Sequence, residues 1–142
     1  MVVSRIFWDT NLFVYLFEDY GKLSERVADI RQRMLDRGDE LMTSTLTLGE
    51  VLVKPTETGN AQLRSAYEEA IAKAAMLLPF SRDTARLYAE IRRDRSIRPP
   101  DAIQLACAAQ ARVDLFITND DRLAAKSIPG IQFIQPLDRA FL

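Results

Sequence analysis

Apolar residues along the chain come in two rhythms, short continuous runs and longer stretches at helical spacing, and the two alternate. Such alternation marks βα units and a parallel sheet. Ile6-Phe7-Trp8 is a continuous run suited to burial on both sides, which predicts a first strand over Ser4–Asp9. A short helix over Asn11–Glu18 follows. Ser24–Arg37 puts Val27, Ile30, Met34 and Leu35 on one helical face, and Gly38 is placed to stop it. Glu40–Ser44 reads as a second strand, and Thr45 as the cap of a helix that runs to Val53 and is ended by Pro55. Thr58-Gly59-Asn60 breaks the chain before an alanine-rich helix over Ala61–Ala75.

Further on, strands are expected at Met76–Pro79, Leu115–Thr118 and Gln132–Ile134. Between them come a helix capped by Ser81 and reaching about Arg93, a loop over Arg95–Pro100, a helix over Asp101–Ala111 and a short one over Asp121–Lys126. Pro129-Gly130 turns the chain, and the residues after Ile134 read as a tail. The expected architecture is α/β, a five-stranded, mostly parallel sheet with helices on both faces in a single domain over residues 1–142.

Composition narrows the chemistry more than the fold. At 48% hydrophobic and 27% charged residues the chain has enough apolar surface for a packed core. No apolar run approaches the ~20 residues of a membrane helix, and Met1-Val2-Val3-Ser4-Arg5 lacks the form of a signal peptide. The lone Cys107 excludes an intrachain disulfide and a Cys-based zinc site, suits a reducing cytoplasm, and reads as inert core among its alanines. Histidine is absent. Ser-His-Asp and Cys-His nucleophiles, His-ligated zinc and His-pair nuclease chemistry are therefore excluded, which leaves carboxylates, hydroxyls, lysine or a bound metal. With 19 basic and 20 acidic residues there is no global positive field, although the basic residues are mostly Arg, which grips phosphates bidentately.

Open parallel sheets bind ligands at the C-terminal ends of their strands. Asp9, Asp101 and Asp120 stand where the chain leaves a strand or opens a helix, and Glu50 lies in the helix after strand two. Each of the three aspartates also fits as a simple helix cap or a partner for the helix dipole. Glu50 sits in Leu46-Thr47-Leu48-Gly49-Glu50-Val51-Leu52-Val53, so apolar a helix that its carboxylate is expected to be buried and to need an arginine, a donor, a proton or a metal. Several acids in one crevice repel unless a hard cation, Mg²⁺ or Mn²⁺, neutralises them. Two acid-and-magnesium systems on this sheet type are excluded. A phosphoacceptor receiver needs paired acids after strand one and a lysine after strand five, whereas Gln135-Pro136 follows Ile134. A haloacid-dehalogenase-type phosphatase needs Asp-x-Asp, whereas the chain has Asp9-Thr10-Asn11.

Four segments together resemble the PIN-domain nucleases, and within them the VapC-type toxins of bacterial type II toxin–antitoxin pairs. They are Asp9-Thr10-Asn11-Leu12, Ser44-Thr45-Leu46-Thr47-Leu48-Gly49-Glu50-Val51, Pro100-Asp101-Ala102-Ile103-Gln104-Leu105-Ala106 and Leu115-Phe116-Ile117-Thr118-Asn119-Asp120. Each string is weak alone, and their order and spacing carry the signal across essentially the whole chain. The resemblance implies a PIN-like fold and a Mg²⁺- or Mn²⁺-dependent endoribonuclease that hydrolyses RNA phosphodiesters. It implies that Asp9, Glu50 and Asp101 hold the principal metal and that Asp120 holds a second ion or orients the water, with Thr10, Asn11 and Thr118 in support. Asp121 is an added acid beside the expected one, and position 104 is Gln where many relatives carry a non-catalytic His.

The implied partners are an RNA substrate, a VapB-like antitoxin and a second copy of the chain, in the cytoplasm. Arg93, Arg95 and Arg98 precede Asp101 and are candidates for RNA phosphates, or else for a solvated helix end. Arg122 and Lys54 are weaker candidates. Leu12-Phe13-Val14-Tyr15-Leu16-Phe17 is apolar at every position and fits either deep packing or a dimer face. Two alternatives stay open: a PIN nuclease of RNA processing without an antitoxin, and a catalytically silent PIN-like binding module.

Overall fold

The computed structural model describes residues 4–142, so the Met1-Val2-Val3 part of the opening segment lies outside the described residues. Five strands form one sheet: β1 (Arg5–Trp8), β2 (Glu40–Ser44), β3 (Met76–Leu78), β4 (Leu115–Thr118) and β5 (Phe133–Pro136). Their order is β3-β2-β1-β4-β5, and all four pairings are parallel. The chain builds outward from β1 to one edge, then crosses over to build the other. That reversal lies between β1 and β4, where an open parallel sheet forms its ligand crevice.

The continuous apolar runs are explained by two cores, one on each face. In β1, Ile6 and Trp8 enter one core while Phe7 enters the other; in β4, Leu115 and Ile117 oppose Phe116 in the same way. Phe7 and Phe116 stack across the strands with centroids 5.0 Å apart. Helices α1 (Thr10–Phe17), α2 (Lys22–Arg37), α3 (Thr45–Glu57) and α4 (Ala61–Ala74) cover the first face. On the second lie α5 (Arg82–Ile91), α6 (Pro99–Gln110) and α7 (Asp121–Ala124). No helix among the described residues is long and apolar enough to cross a membrane.

Most element boundaries agree with the sequence reading to within a residue or two, and the exceptions have physical causes. Pro55 does not end α3, which continues to Glu57 with Pro55 buried inside it. The ending falls to Thr58 and Gly59: Thr58 binds the Lys54 carbonyl, and Gly59 adopts φ +68°. The cap of α3 is Ser44 rather than Thr45, its hydroxyl accepting from the Thr47 N–H at 3.2 Å. Helix α6 starts at Pro99, not Asp101, because a proline at the first helical positions has the right φ and forfeits no hydrogen bond there. On α2, Val27, Ile30 and Met34 are buried as expected, but Leu35 is 55% exposed. Strand β5 runs to Pro136, and the expected tail winds into a 3₁₀ turn at Leu137–Arg139 that buries Leu137. The apolar run of α1 packs within the domain, with Leu12 and Phe13 fully buried and Val14–Phe17 lying against the same core.

Candidate active site

The crevice is built from side chains at the C-terminal ends of the strands. Asp9 leaves β1 and caps α1, its Oδ1 accepting the Thr10 N–H at 2.9 Å. Its Oδ2 accepts a hydrogen bond from the Thr118 hydroxyl at the end of β4, 2.8 Å away. The same hydroxyl accepts the Asp120 N–H at 3.0 Å, so one buried threonine ties together two of the expected acids. The capping role expected of Asp9 is therefore present, and it leaves the carboxylate at the crevice. Asp120 likewise caps α7 by accepting the Arg122 N–H at 2.9 Å.

Glu50 is exposed at the crevice, contrary to the expectation of a buried carboxylate. Helix α3 buries Thr47, Val51 and Pro55 and turns Gly49, Glu50, Val53 and Lys54 outward, so its apolar stretch is one-sided. The partner of Glu50 is the Thr10 hydroxyl, which donates to its Oε1 at 2.7 Å. Behind this pair runs a buried network that the sequence reading did not foresee. Gln104 of α6 donates to Thr10 Oγ1 at 3.0 Å and Thr47 Oγ1 at 2.7 Å, and accepts from the Ser44 hydroxyl. Thr43 links Thr47 to the Trp8 carbonyl, at 2.8 and 2.9 Å. Buried polar groups persist only when satisfied. The signal in the sequence was the hydroxyl-rich Thr43-Ser44-Thr45-Leu46-Thr47, too polar for a strand end facing only core.

Burial and neighbouring charge both act on Asp9. The Asp9 carboxyl is pushed up to about 6, first by burial and then by the charges of Asp101 and Glu50, against the opposing hydrogen bonds from Thr118 and Thr10. Burial also works to raise Asp120, but hydrogen bonds from the Arg122 side chain and backbone outweigh it and hold that carboxyl below its usual range. Asp101 and Asp120 line a cavity of about 280 Å³ with Ser96, Arg122 and Lys126. Arg98 stands over both acids, 3.4 Å from Asp101 and 4.0 Å from Asp120.

Asn11 and Asp121 are exposed, and Asp121 does not line that cavity. Arg93 pairs with Glu90 along α5, Arg95 is exposed on the loop, and Lys54 pairs with Glu18. Cys107 is buried against Pro79, and burial pushes its thiol up to about 11, as inert core requires.

The donor set is carboxylate and hydroxyl oxygen throughout, which fits a hard divalent cation. As placed, no group of three such acids among the described residues could clasp one ion, and Arg98 and Arg122 hold Asp101 and Asp120. Binding would thus require the carboxylates to close on the ion as well as the guanidinium groups to yield.

The sequence pattern of the PIN domain matches residues 6–128, which spans β1 through the segment after α7. The chain belongs to the PIN-domain family. No curated protein matches it significantly. Among solved structures, this PIN domain is similar to DNA-bound VapBC from Salmonella typhimurium, with TM-score 0.72 and 20% identity over 95% of this chain and 99% of that one. VapBC2 from Rickettsia felis bound to a promoter DNA fragment gives TM-score 0.70 and 14% identity over 93% and 98%. A toxin–antitoxin complex from Klebsiella pneumoniae gives 0.66 and 24% over 89% and 94%. At these identities the likeness is one of fold. PIN domains in general are nucleases.

Proposed function

We propose that this PIN domain is a divalent-metal-dependent endoribonuclease and the toxin of a VapBC-type pair, restrained by a VapB-like antitoxin and acting as a homodimer in the cytoplasm. The observation that carries the catalytic reading is how two threonines gather acids at the β1–β4 reversal: Thr118 bonds the Asp9 carboxylate and the Asp120 backbone, and Thr10 bonds Asp9 and Glu50. Like charges gathered at a partly buried carboxylate are unfavourable without a cation. The toxin reading is supported by the fold shared with VapBC complexes over nearly the whole of both chains.

In this reading Asp9, Glu50, Asp101 and Asp120 hold one or two Mg²⁺ or Mn²⁺ ions. When bound, the metal supplies an acidified water and neutralises charge on the phosphate. Thr118 and Thr10 fix the Asp9 carboxylate, Thr10 aims Glu50, and the Gln104 network holds Thr10 in place. Arg98, with Arg93 and Arg95 on the approach, meets the RNA phosphates.

The test is cleavage of total bacterial RNA by the purified chain with Mn²⁺, beside EDTA and Asp101→Asn controls. Discrete fragments that vanish in both controls are expected. Among the described residues no three acids clasp an ion as placed, which favours one second reading, a silent binding module. Calorimetry decides between them: a chain that neither cleaves RNA nor binds Mn²⁺ is the module.

A further inference from the structure

Arg98 occupies an unusual position. Its Nε lies 3.4 Å from Asp101 Oδ2 and its Nη2 lies 4.0 Å from Asp120 Oδ2, so one guanidinium spans acids from two different βα units. Arg122 holds both oxygens of Asp120 from its own side, at 3.4 and 3.3 Å, and is the closer of the two guanidinium groups to that acid. Arg98 is 65% exposed, whereas the side chains it bridges are 18% and 23% exposed. It therefore lies over the acids as a cover and not beneath them as a support.

The backbone around Arg98 is held, while its side chain makes one long hydrogen bond, to Asp101, and is otherwise exposed. Pro99 and Pro100 open α6 immediately behind it, and Arg98 makes no side-chain capping bond. In front of it, Lys126 Nζ binds Asp94 Oδ2 at 2.9 Å and Ser96 Oγ at 2.8 Å, tying this loop to the segment after α7. The Asp94 carboxyl is held down to about 2, first by the Ser96 hydroxyl and then by Lys126. The guanidinium thus extends from an anchored loop to the acids that line the cavity.

Two carboxylates facing one opening repel, and a guanidinium between them relieves that repulsion as an ion would. An exposed ion pair is weak, so it exchanges readily for a better partner. Guanidinium also matches phosphate as well as it matches carboxylate. We propose that Arg98 is an exchangeable counter-ion of the acid crevice: it bridges Asp101 and Asp120 in the ion-free chain, releases them to a divalent cation, and turns to the substrate phosphate. The inference rests on the reading of the crevice as a metal-dependent phosphodiesterase.

It makes a signature of opposite signs. Arg98→Gln should bind Mn²⁺ about three- to fivefold more tightly than the natural chain, because a surface ion pair withholds about that much affinity. The same substitution should raise KM for a short single-stranded RNA several-fold, with kcat at saturating Mn²⁺ much less affected. Arg98→Lys, which keeps the charge without the fork, should fall between. Arg93→Gln, which removes an equal charge from the neighbouring helix end, should leave Mn²⁺ affinity unchanged. The experiment is calorimetric titration of the full chain with Mn²⁺ alone, followed by steady-state cleavage. Unchanged or weaker Mn²⁺ binding in Arg98→Gln overturns the proposal and makes Arg98 a bystander or a support. Equal tightening in Arg93→Gln overturns it in favour of general charge. If the natural chain binds Mn²⁺, those results leave the metal reading intact; if it binds none, both fall.

Discussion

Replacing Asp9 by Asn should make the ion-free protein more stable at neutral pH while removing its activity. The carboxyl is pushed from 3.8 to about 6, chiefly by burial. A folded-state value above the unfolded one means that the native chain holds the proton more tightly, so the contribution is fully present below 3.8 and lost as pH rises through about 6. At 1.36 kcal/mol per unit the swing is at most about 3 kcal/mol. Asn is isosteric and neutral, so it escapes this loss. It has its own cost, however. The Thr118 hydroxyl donates to Asp9 Oδ2 and accepts from the Asp120 N–H, and an amide in place of Oδ2 sets two donors face to face, for about 1 kcal/mol. In EDTA, Asp9→Asn should therefore be about 1 kcal/mol less stable than the natural chain near pH 3 and about 2 kcal/mol more stable near pH 7. Urea unfolding of both chains across that range measures it. Added Mn²⁺ should then stabilise only the natural chain, by mass action. A stability difference that stays flat with pH, or slopes the other way, would refute the argument that desolvation and acid repulsion govern Asp9.

Three further substitutions separate positioning from folding. Thr118→Val leaves Asp9 Oδ2 and the Asp120 N–H without their shared partner; we expect about 2 kcal/mol of lost stability in urea and cleavage slowed about tenfold or more. Because that hydroxyl holds the Asp9 carboxyl down, the acid limb of any pH–rate profile should also move to higher pH in this variant. Gln104→Leu takes the acceptor from the Ser44 hydroxyl and one donor each from Thr10 and Thr47, which should cost about 2 kcal/mol in a thermal melt and loosen the Thr10 contact that aims Glu50. Gly130→Ala tests the opposite end of the sheet. Its φ is +97° and a Cβ there would lie 2.9 Å from the Ala109 carbonyl, so a loss above about 2 kcal/mol is expected with kcat and KM unchanged below the melting range.

Much of this protein was legible before folding. The runs Ile6-Phe7-Trp8 and Leu115-Phe116-Ile117 announce strands buried on both faces, because a strand with one wet face would alternate. The acids are legible for a related reason: no core position welcomes a carboxylate, so Asp9, Asp101 and Asp120 at strand ends and helix starts stand out from their surroundings. What the sequence misjudged depends on direction in space. Glu50 sits among apolar neighbours, yet the rotation of α3 against the sheet turns it outward to Thr10, and periodicity over eight residues does not specify that rotation. Pro55 reads as a helix end because its missing N–H is a local fact, whereas its burial in the core is a tertiary one. Local composition and periodicity thus determined the elements and their order, and the family resemblance singled out which acids to expect at the crevice. Only the tertiary structure decided which partner each acid meets, since Thr118 reaches Asp9 across 109 positions and Gln104 reaches Thr10 across 94. Those contacts depend on packing angles and strand order, which no stretch of sequence carries by itself.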